Sequence, residues 1–314
     1  MEEKIPVIAL VGPTASGKTE LGVNLAKIYN GEIVSADSMQ IYKGMSIATA
    51  KPSVEEMQGI PHHMMDFLDL DKTFSAADYV ALAKPIVSDI HSRGKLPIIV
   101  GGTGLYVDSL LENITFCKTH SNDKLRQELY DTAKEKGNQY LHDMLRSLDP
   151  IAAENIHPNN VVRVVRAIEV CRETGKTFTQ TKEESRCNPS PYDVTWIGLG
   201  FEDRNVLYDR INKRVDMMIE QGLIEEARAV LENGKLPTAS NAIGLKEWQP
   251  YFDKIASKEE CIYKMKLETR HYAKRQLTWF RRNAKINWLN VDKIVQVATK
   301  IETCKKIIAK REYL

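Results

Sequence analysis

Five short apolar runs punctuate the chain, at residues 5–11, 32–36, 97–100, 194–199 and 286–289, and each reads as a β-strand. Between them apolar positions recur at helical spacing. The clearest case follows Ser75, where Ser75 and Asp78 form an N-terminal capping pattern and Val80, Ala83, Ile86, Val87 and Ile90 line one face. Leu21, Leu25, Ile28 and Tyr29 share a face in the same way. Strands alternating with helices predict an α/β fold, a parallel sheet with helices on both faces and ligands at the carboxyl ends of its strands. The rhythm breaks between about Thr119 and Tyr192. There the sequence is polar and helical, over 123–137, 139–148 and 159–174 with a stop at Gly175, before a Pro/Ser-rich joint (Asn188, Pro189, Ser190, Pro191). The expectation is a core of residues 1–119 and 193–314, with an all-helical insertion at 120–192 closing over the core site.

The first strand runs into Gly12, Pro13, Thr14, Ala15, Ser16, Gly17, Lys18 and Thr19, a complete G-x-x-x-x-G-K-[ST] phosphate-binding loop between a strand and a helix. Backbone N–H groups of such a loop converge on phosphate oxygens, the lysine adds a point charge, and the Thr19 hydroxyl can ligate Mg²⁺. The second strand ends in Asp37, which could serve as a magnesium ligand, a general base or a helix cap. ATP-hydrolysing relatives of this loop end an apolar strand in an acid that helps hold Mg²⁺. Here the third strand ends in Gly101, Gly102, Thr103 and Gly104, a glycine turn with a hydroxyl poised at a second phosphate or substrate site. That points away from switch ATPases and GTPases and toward group-transfer enzymes.

Composition changes the picture in one respect. The 314 residues, 43% hydrophobic and 27% charged, are those of a globular chain. No run approaches the ~18 to 20 apolar residues of a membrane span, and the N-terminus has no cationic leader, so a cytoplasmic protein is expected. Cys117, Cys171, Cys187, Cys261 and Cys304 are scattered singly, which argues against disulfides and structural zinc. The histidines, such as His62 and His63, lack metal-ligand spacing. Net charge is +2, yet between Lys254 and Lys285 ten Lys/Arg face three Glu. Such a concentration suits a polyanion. In a helix capped by Ser257 and Glu260, Lys266, Arg270, Lys274 and Arg281 fall on one arc. Trp279 and Phe280 lie beside them, either to stack an unpaired base or, more simply, as core. Arg210 and Arg214 share a helical face whose apolar side is Val206, Leu207, Ile211, Val215 and Met218; they either hold an anion or bridge to Asp209 and Asp216. Arg163 and Arg166 emerge from a valine-rich helix in the insertion.

With these residues in view the chain resembles the tRNA dimethylallyltransferases, also called tRNA isopentenyltransferases, of bacterial type and without the zinc-finger extension of eukaryotic relatives. The matching segments are residues 12–19, 35–44, 49–51, 61–63, 101–106, 157–159 and 274–279. The stretch 241–246 departs from the family, with Asn241 and Leu245 where a longer polar or cationic residue and an aromatic are usual. The resemblance implies a P-loop NTPase-like sheet and transfer of a dimethylallyl group from its diphosphate to the exocyclic amine of the adenosine 3′ of the anticodon. It implies that Asp37 takes the amine proton, and that Lys18, Thr19, Thr103 and Arg214 hold the diphosphate with Mg²⁺, Lys18, Thr103 and Arg214 counting with Asp37 as catalytic. By the same resemblance Asp37, Ser38, Met39, Gln40, Thr103, Arg126, Arg163, Arg166, Lys274, Arg275, Gln276, Trp279 and Arg281 meet the tRNA anticodon stem-loop, and the enzyme works as a monomer with no obligate protein partner. A P-loop small-molecule or nucleotide kinase, an adenylate isopentenyltransferase and a non-catalytic RNA-binding module are the alternatives. None of the three gives both the loop chemistry and the basic helix a role.

Overall fold

In the computed structural model, which describes residues 3–116, 122–234 and 236–310, six strands form one sheet. They are β1 (Ile5–Val11), β2 (Gly31–Ala36), β3 (His62–His63), β4 (Leu96–Gly101), β5 (Tyr192–Gly200) and β6 (Asn287–Asn290), in the order β3-β2-β4-β1-β5-β6, and every neighbouring pair is parallel. The five strands expected from the apolar runs are present. Strand β3 is additional, and at two residues it is too short to carry a periodic signal. Strand β5 begins at Tyr192 because β1 pairs with it along its whole length, from Ile5 opposite Tyr192 to Val11 opposite Gly198.

The chain divides into two compact units, one made of residues up to Leu111 together with Pro191–Leu314, the other of Glu112–Ser190. In the first, helices Lys18–Ile28, Ala76–Ser92, Gly104–Leu111, Arg204–Glu220, Lys258–Phe280 and Val297–Ile308 flank the sheet. Ile8, Leu10, Ile33, Ile98 and Ile197 from the strands join Val23, Leu25 and Ile211 in one core, all with no more than 1% of their surface exposed. Two apolar assignments fail at helix margins. Ile28 is 43% exposed because it closes its helix beside Lys27, and Val206 is 38% exposed in the first turn of its own. The first helix buries Val23 and Ala26 instead, while the second buries the remaining expected positions, Leu207, Ile211, Val215 and Met218.

A second apolar cluster anchors the segment that follows β2. Ile41, Tyr42 and Met45 are fully buried against Val215, Leu223, Ala227, Trp248 and Met265. Glu226, in helix Leu223–Leu231, accepts hydrogen bonds from the backbone N–H groups of Ser46, Ile47 and Ala48 at 2.8–2.9 Å. Leu245, a departure from the family pattern, is wholly buried in this cluster.

The second unit contains helices Asp123–Lys136, Asn138–Leu148, Pro150–Asn155, Val161–Thr174 and Phe178–Glu184 around a core of Leu129, Leu141, Leu145, Val164 and Ile168. Two of these helices were not anticipated. Asp149 caps the one opened by Pro150, and a Thr177–Gln180 capping box opens the other. The described cysteines are free thiols, three of them buried, while Cys117 lies outside the described residues. Among the described residues no helix is long and apolar enough to cross a membrane.

One charged residue stands inside the sheet. The Glu32 carboxylate is 3% exposed and accepts from Arg93 at 2.6 and 2.8 Å, from Lys95 at 2.7 Å and contacts His63 at 2.8 Å. The Arg93 guanidinium, aided by Lys95 and His63 and opposed by burial, holds this carboxyl well below its usual range. Removing the charge leaves cations facing one another across a buried position, so Glu32→Gln should cost about 3 kcal/mol of stability. Denaturant melts followed by circular dichroism check this; an unchanged midpoint would show that the network contributes nothing.

Candidate active site

Strands β2, β4 and β1 are neighbours, and their ends are level, since Gly101 is the register partner of both Val11 and Ala36. Parallel strands set less than ~5 Å apart therefore present Gly12, Asp37 and Gly102 along one short edge. The loop after β1 adopts the form its sequence requires. A Cβ at Gly12, whose φ is +151°, would stand 2.7 Å from the Leu199 carbonyl, and Gly17 takes the left-handed conformation that opens helix Lys18–Ile28. The N–H groups of that first turn have no partners within the helix, which makes this end an anion site. Ser16 is buried and its hydroxyl has no partner among the described residues, as fits a group meant for a phosphate oxygen.

Cations surround this loop. The Lys18 ammonium donates to the Pro13 carbonyl at 2.6 Å. Burial and the neighbouring Arg214 pull its pKa down to about 7, with Asp37 opposing them. Burial also lowers the Arg214 pKa, again against Asp37. Arg210 braces the loop from the same helical face, donating from Nε to the Ala15 carbonyl at 2.8 Å. Of the two acids considered as partners for these arginines, Asp216 instead takes Lys266 at 2.6 Å.

The Asp37 carboxylate accepts through Oδ1 from the N–H groups of Met39 (2.9 Å) and Gln40 (3.3 Å), so it caps a turn and starts no helix. The Ser38 N–H donates to the Thr103 hydroxyl at 3.0 Å. Gln40 donates to the carbonyls of Thr49 and Ala50 and accepts from Ser35, which fixes this strand exit. Tyr272 escaped the sequence reading. Burial, with Asp37 nearby, pushes the pKa of its hydroxyl far up, against the polar side chains of Thr103 and Gln276. Nothing local in the sequence sets it apart from other helix tyrosines.

The glycine turn after β4 accommodates helix Lys258–Phe280. A Cβ on Gly102 would lie 2.0 Å from Gln276 Nε2, and one on Gly104 would lie 2.2 Å from the Trp279 ring. Gln276 donates to the Gly102 carbonyl at 3.1 Å and accepts from the Thr14 N–H at 2.8 Å, and Trp279 Nε1 donates to Asp108 at 2.7 Å. Phe280 is core, whereas Trp279 is half-buried with the Arg282 guanidinium 5.6 Å from its ring centre. The cationic arc divides. Lys266 is tied to Asp216 and Arg270 to Asn212, while Lys274, Arg275 and Arg281 are exposed. Lys274 and Arg275 join His271, Thr278, Trp279 and Arg282 around an open groove. In the helical unit Arg126 and Arg166 both pair with the buried Glu169, at 2.8 and 2.9 Å, and Arg163 is exposed.

A family model described as IPP transferase matches residues 40–283. The chain belongs to this family. It is 48% identical over 292 residues to a tRNA dimethylallyltransferase of Halalkalibacterium halodurans, covering 93% of this chain and 92% of that one. With a tRNA dimethylallyltransferase of Acetivibrio thermocellus the identity is 50% over 288 residues, covering 91% and 92%. The crystal structure of full-length tRNA isopentenylpyrophosphate transferase from Bacillus halodurans superposes with a TM-score of 0.73 at 44% identity, covering 98% of this chain and 96% of that one. A eukaryotic dimethylallyltransferase acting on tRNA superposes with a TM-score of 0.81 at 30% identity, covering 98% and 80%. The all-parallel sheet with flanking helices is thus the α/β fold of the IPP transferase family, and members of that family are transferases.

The low pKa of Lys18 has a direct consequence for anion binding. Above pH 7 the free enzyme carries a largely neutral amine, and a bound polyanion raises the pKa again, so binding takes up a proton. Titrating inorganic diphosphate at pH 8 in buffers of different ionisation enthalpy should show uptake of about one proton more by the native protein than by Lys18→Arg, whose cation is permanent. Equal uptake by the two would mean that Lys18 is already charged.

Proposed function

We propose that this member of the IPP transferase family transfers the dimethylallyl group of dimethylallyl diphosphate to the exocyclic N6 amine of the adenosine 3′ of the anticodon in tRNA, releasing diphosphate. The observation that carries the reading is the meeting of Asp37 with Lys18 and Arg214 at the mouth of a phosphate loop, where the carboxylate favours the charged form of both cations against burial. The names of the relatives support tRNA as the acceptor.

In the reaction the allylic carbon–oxygen bond breaks, its electron pair leaves with the diphosphate, and the adenine nitrogen supplies the pair for the new carbon–nitrogen bond. Lys18, Arg214 and the N–H groups that open helix Lys18–Ile28 stabilise the charge that grows on the leaving oxygens, and being fixed beforehand they need no reorganisation. The amine loses a proton as the bond forms, and the Asp37 carboxylate takes it. Its Oδ1 is held by two backbone N–H groups, which fixes the carboxylate relative to Thr103. Mg²⁺ fits this site as a ligand-assisted ion. The Thr19 hydroxyl, in the first turn of helix Lys18–Ile28, and the phosphate oxygens would hold it, in keeping with an ion that binds through few protein ligands and substrate phosphates. When bound it would neutralise charge on the diphosphate. The exposed Lys274, Arg275 and Arg281 supply phosphate contacts for RNA, with Trp279 as the aromatic edge of the groove. The inserted helical unit adds Arg163, with Arg126 and Arg166 held by Glu169.

Asp37→Asn keeps an acceptor for the Met39 and Gln40 N–H groups and loses the base, so prenyl transfer should fall by about 10²–10⁴ while tRNA affinity is retained. Radiolabelled dimethylallyl diphosphate offered with unmodified tRNA, with AMP or alone is the readout. Label in tRNA only is the expected result; label in AMP would favour an adenylate isopentenyltransferase, and no label would sink the proposal. Charge reversal at Lys274 and Arg281 should raise KM for tRNA and flatten its salt dependence while KM for the donor holds. An equal rise in both KM values would remove the RNA role of this face.

A further inference from the structure

We propose that Gln276 is a positioning residue that staples the phosphate loop to the turn after β4, and that it acts on the donor diphosphate and not on RNA. The proposal rests on the diphosphate reading of the loop. A carboxamide offers an acceptor and a donor in fixed relation. In Gln276 the acceptor takes the Thr14 N–H at 2.8 Å and the donor goes to the Gly102 carbonyl at 3.1 Å, so one planar group ties the exits of β1 and β4 together. The side chain is 5% exposed, and to reach RNA it would have to leave both partners inside the protein. The absence of a side chain at Gly102 makes room for the amide, since a Cβ there would stand 2.0 Å from Nε2.

The staple has a defined effect on the loop. It occupies the Thr14 N–H, turning that dipole away from the anion and leaving the ligand to Ser16 and the N–H groups around Lys18 and Thr19. It also orders the loop before a ligand arrives, so binding need not supply that ordering. The neighbouring Lys274 and Arg275 point outward from the same turn of helix, so the RNA-facing and loop-facing roles are carried by adjacent residues.

Three variants test this. Gln276→Met keeps the length of the side chain without the amide. Gly102→Ala pushes the amide aside without changing residue 276. Both should bind inorganic diphosphate about tenfold more weakly by calorimetry, with affinity for an anticodon stem-loop RNA within twofold of native. Gln276→Glu supplies the rescue. As a carboxylate it opposes the Gly102 carbonyl, and once protonated it again offers both a donor and an acceptor. Its diphosphate affinity relative to the native protein should therefore be poor at pH 8 and recover toward pH 5.5. Unchanged diphosphate affinity in folded Gln276→Met and Gly102→Ala, or weakened RNA binding in Gln276→Met with diphosphate binding intact, would overturn the proposal. So would a Gln276→Glu deficit that is equal at both pH values. Failure of the native protein to bind diphosphate at all would instead overturn the donor reading of the loop.

Discussion

A side chain at position 101 would be driven into the carbonyl of Ala36, 2.2 Å from where its Cβ would stand. Glycine there lets β4 continue beside β2 to the last residue of both strands, and the same residue pairs with Val11 on the other side. Everything that could do chemistry hangs from this level edge. The phosphate loop leaves from β1, Asp37 from β2 and Thr103 from β4. A bulkier residue would splay the strands and move the acid away from the cations. Binding geometry in such a site tolerates shifts of little more than half an ångström, so the constraint at Gly101 would bear on the proposed reaction through the placement of its neighbours.

The electrostatics follow from the same crowding. Lys18, Arg210 and Arg214 gather about one loop with Asp37 as the nearby counter-charge, and burial first, then a neighbouring arginine, lowers the pKa of Lys18 and of Arg214. Like charges held together by the fold are a cost in the absence of an anion, and a polyanion relieves it. In the proposed reaction, more negative charge on the leaving oxygens would relieve it further, and a fixed cluster would in that way favour the transition state over the ground state.

How much of this could be read beforehand depends on the range of the interaction. The phosphate loop, the capping boxes at Ser75 and Ser257 and five of the six strands are written in contiguous residues, and they are found where the pattern puts them. Pro150 and Thr177 carried start signals as clear as those, but the helices they open have 6 and 7 residues and so bury too few positions to show a period. Strand β3 is shorter still. The purpose of Gly102 and Gly104 was not legible at all, because the atoms that need the space belong to Gln276 and Trp279, on a helix some 170 residues later. Glu32 looked like the polar start of a strand, and its partners His63, Arg93 and Lys95 are 31 to 63 residues away. Tyr272 was passed over for the same reason.

The basic helix illustrates why a charge count alone misleads. Its four cations on one arc looked equivalent, yet Lys266 is paired with Asp216, which offsets its charge, and Arg270 is held by a hydrogen bond to Asn212 of the same adjacent helix. The cations left exposed cluster in the last two turns and just beyond them, where Gln276 and Trp279 bury the opposite face against the strand exits. An amphipathic helix ordinarily divides core from solvent. This one also buries Met265, Ala273 and Phe280, but in its last two turns Gln276 turns inward to the Thr14 N–H and the Gly102 carbonyl while Lys274 and Arg275 stay exposed, so under the proposed function one element would serve both substrates.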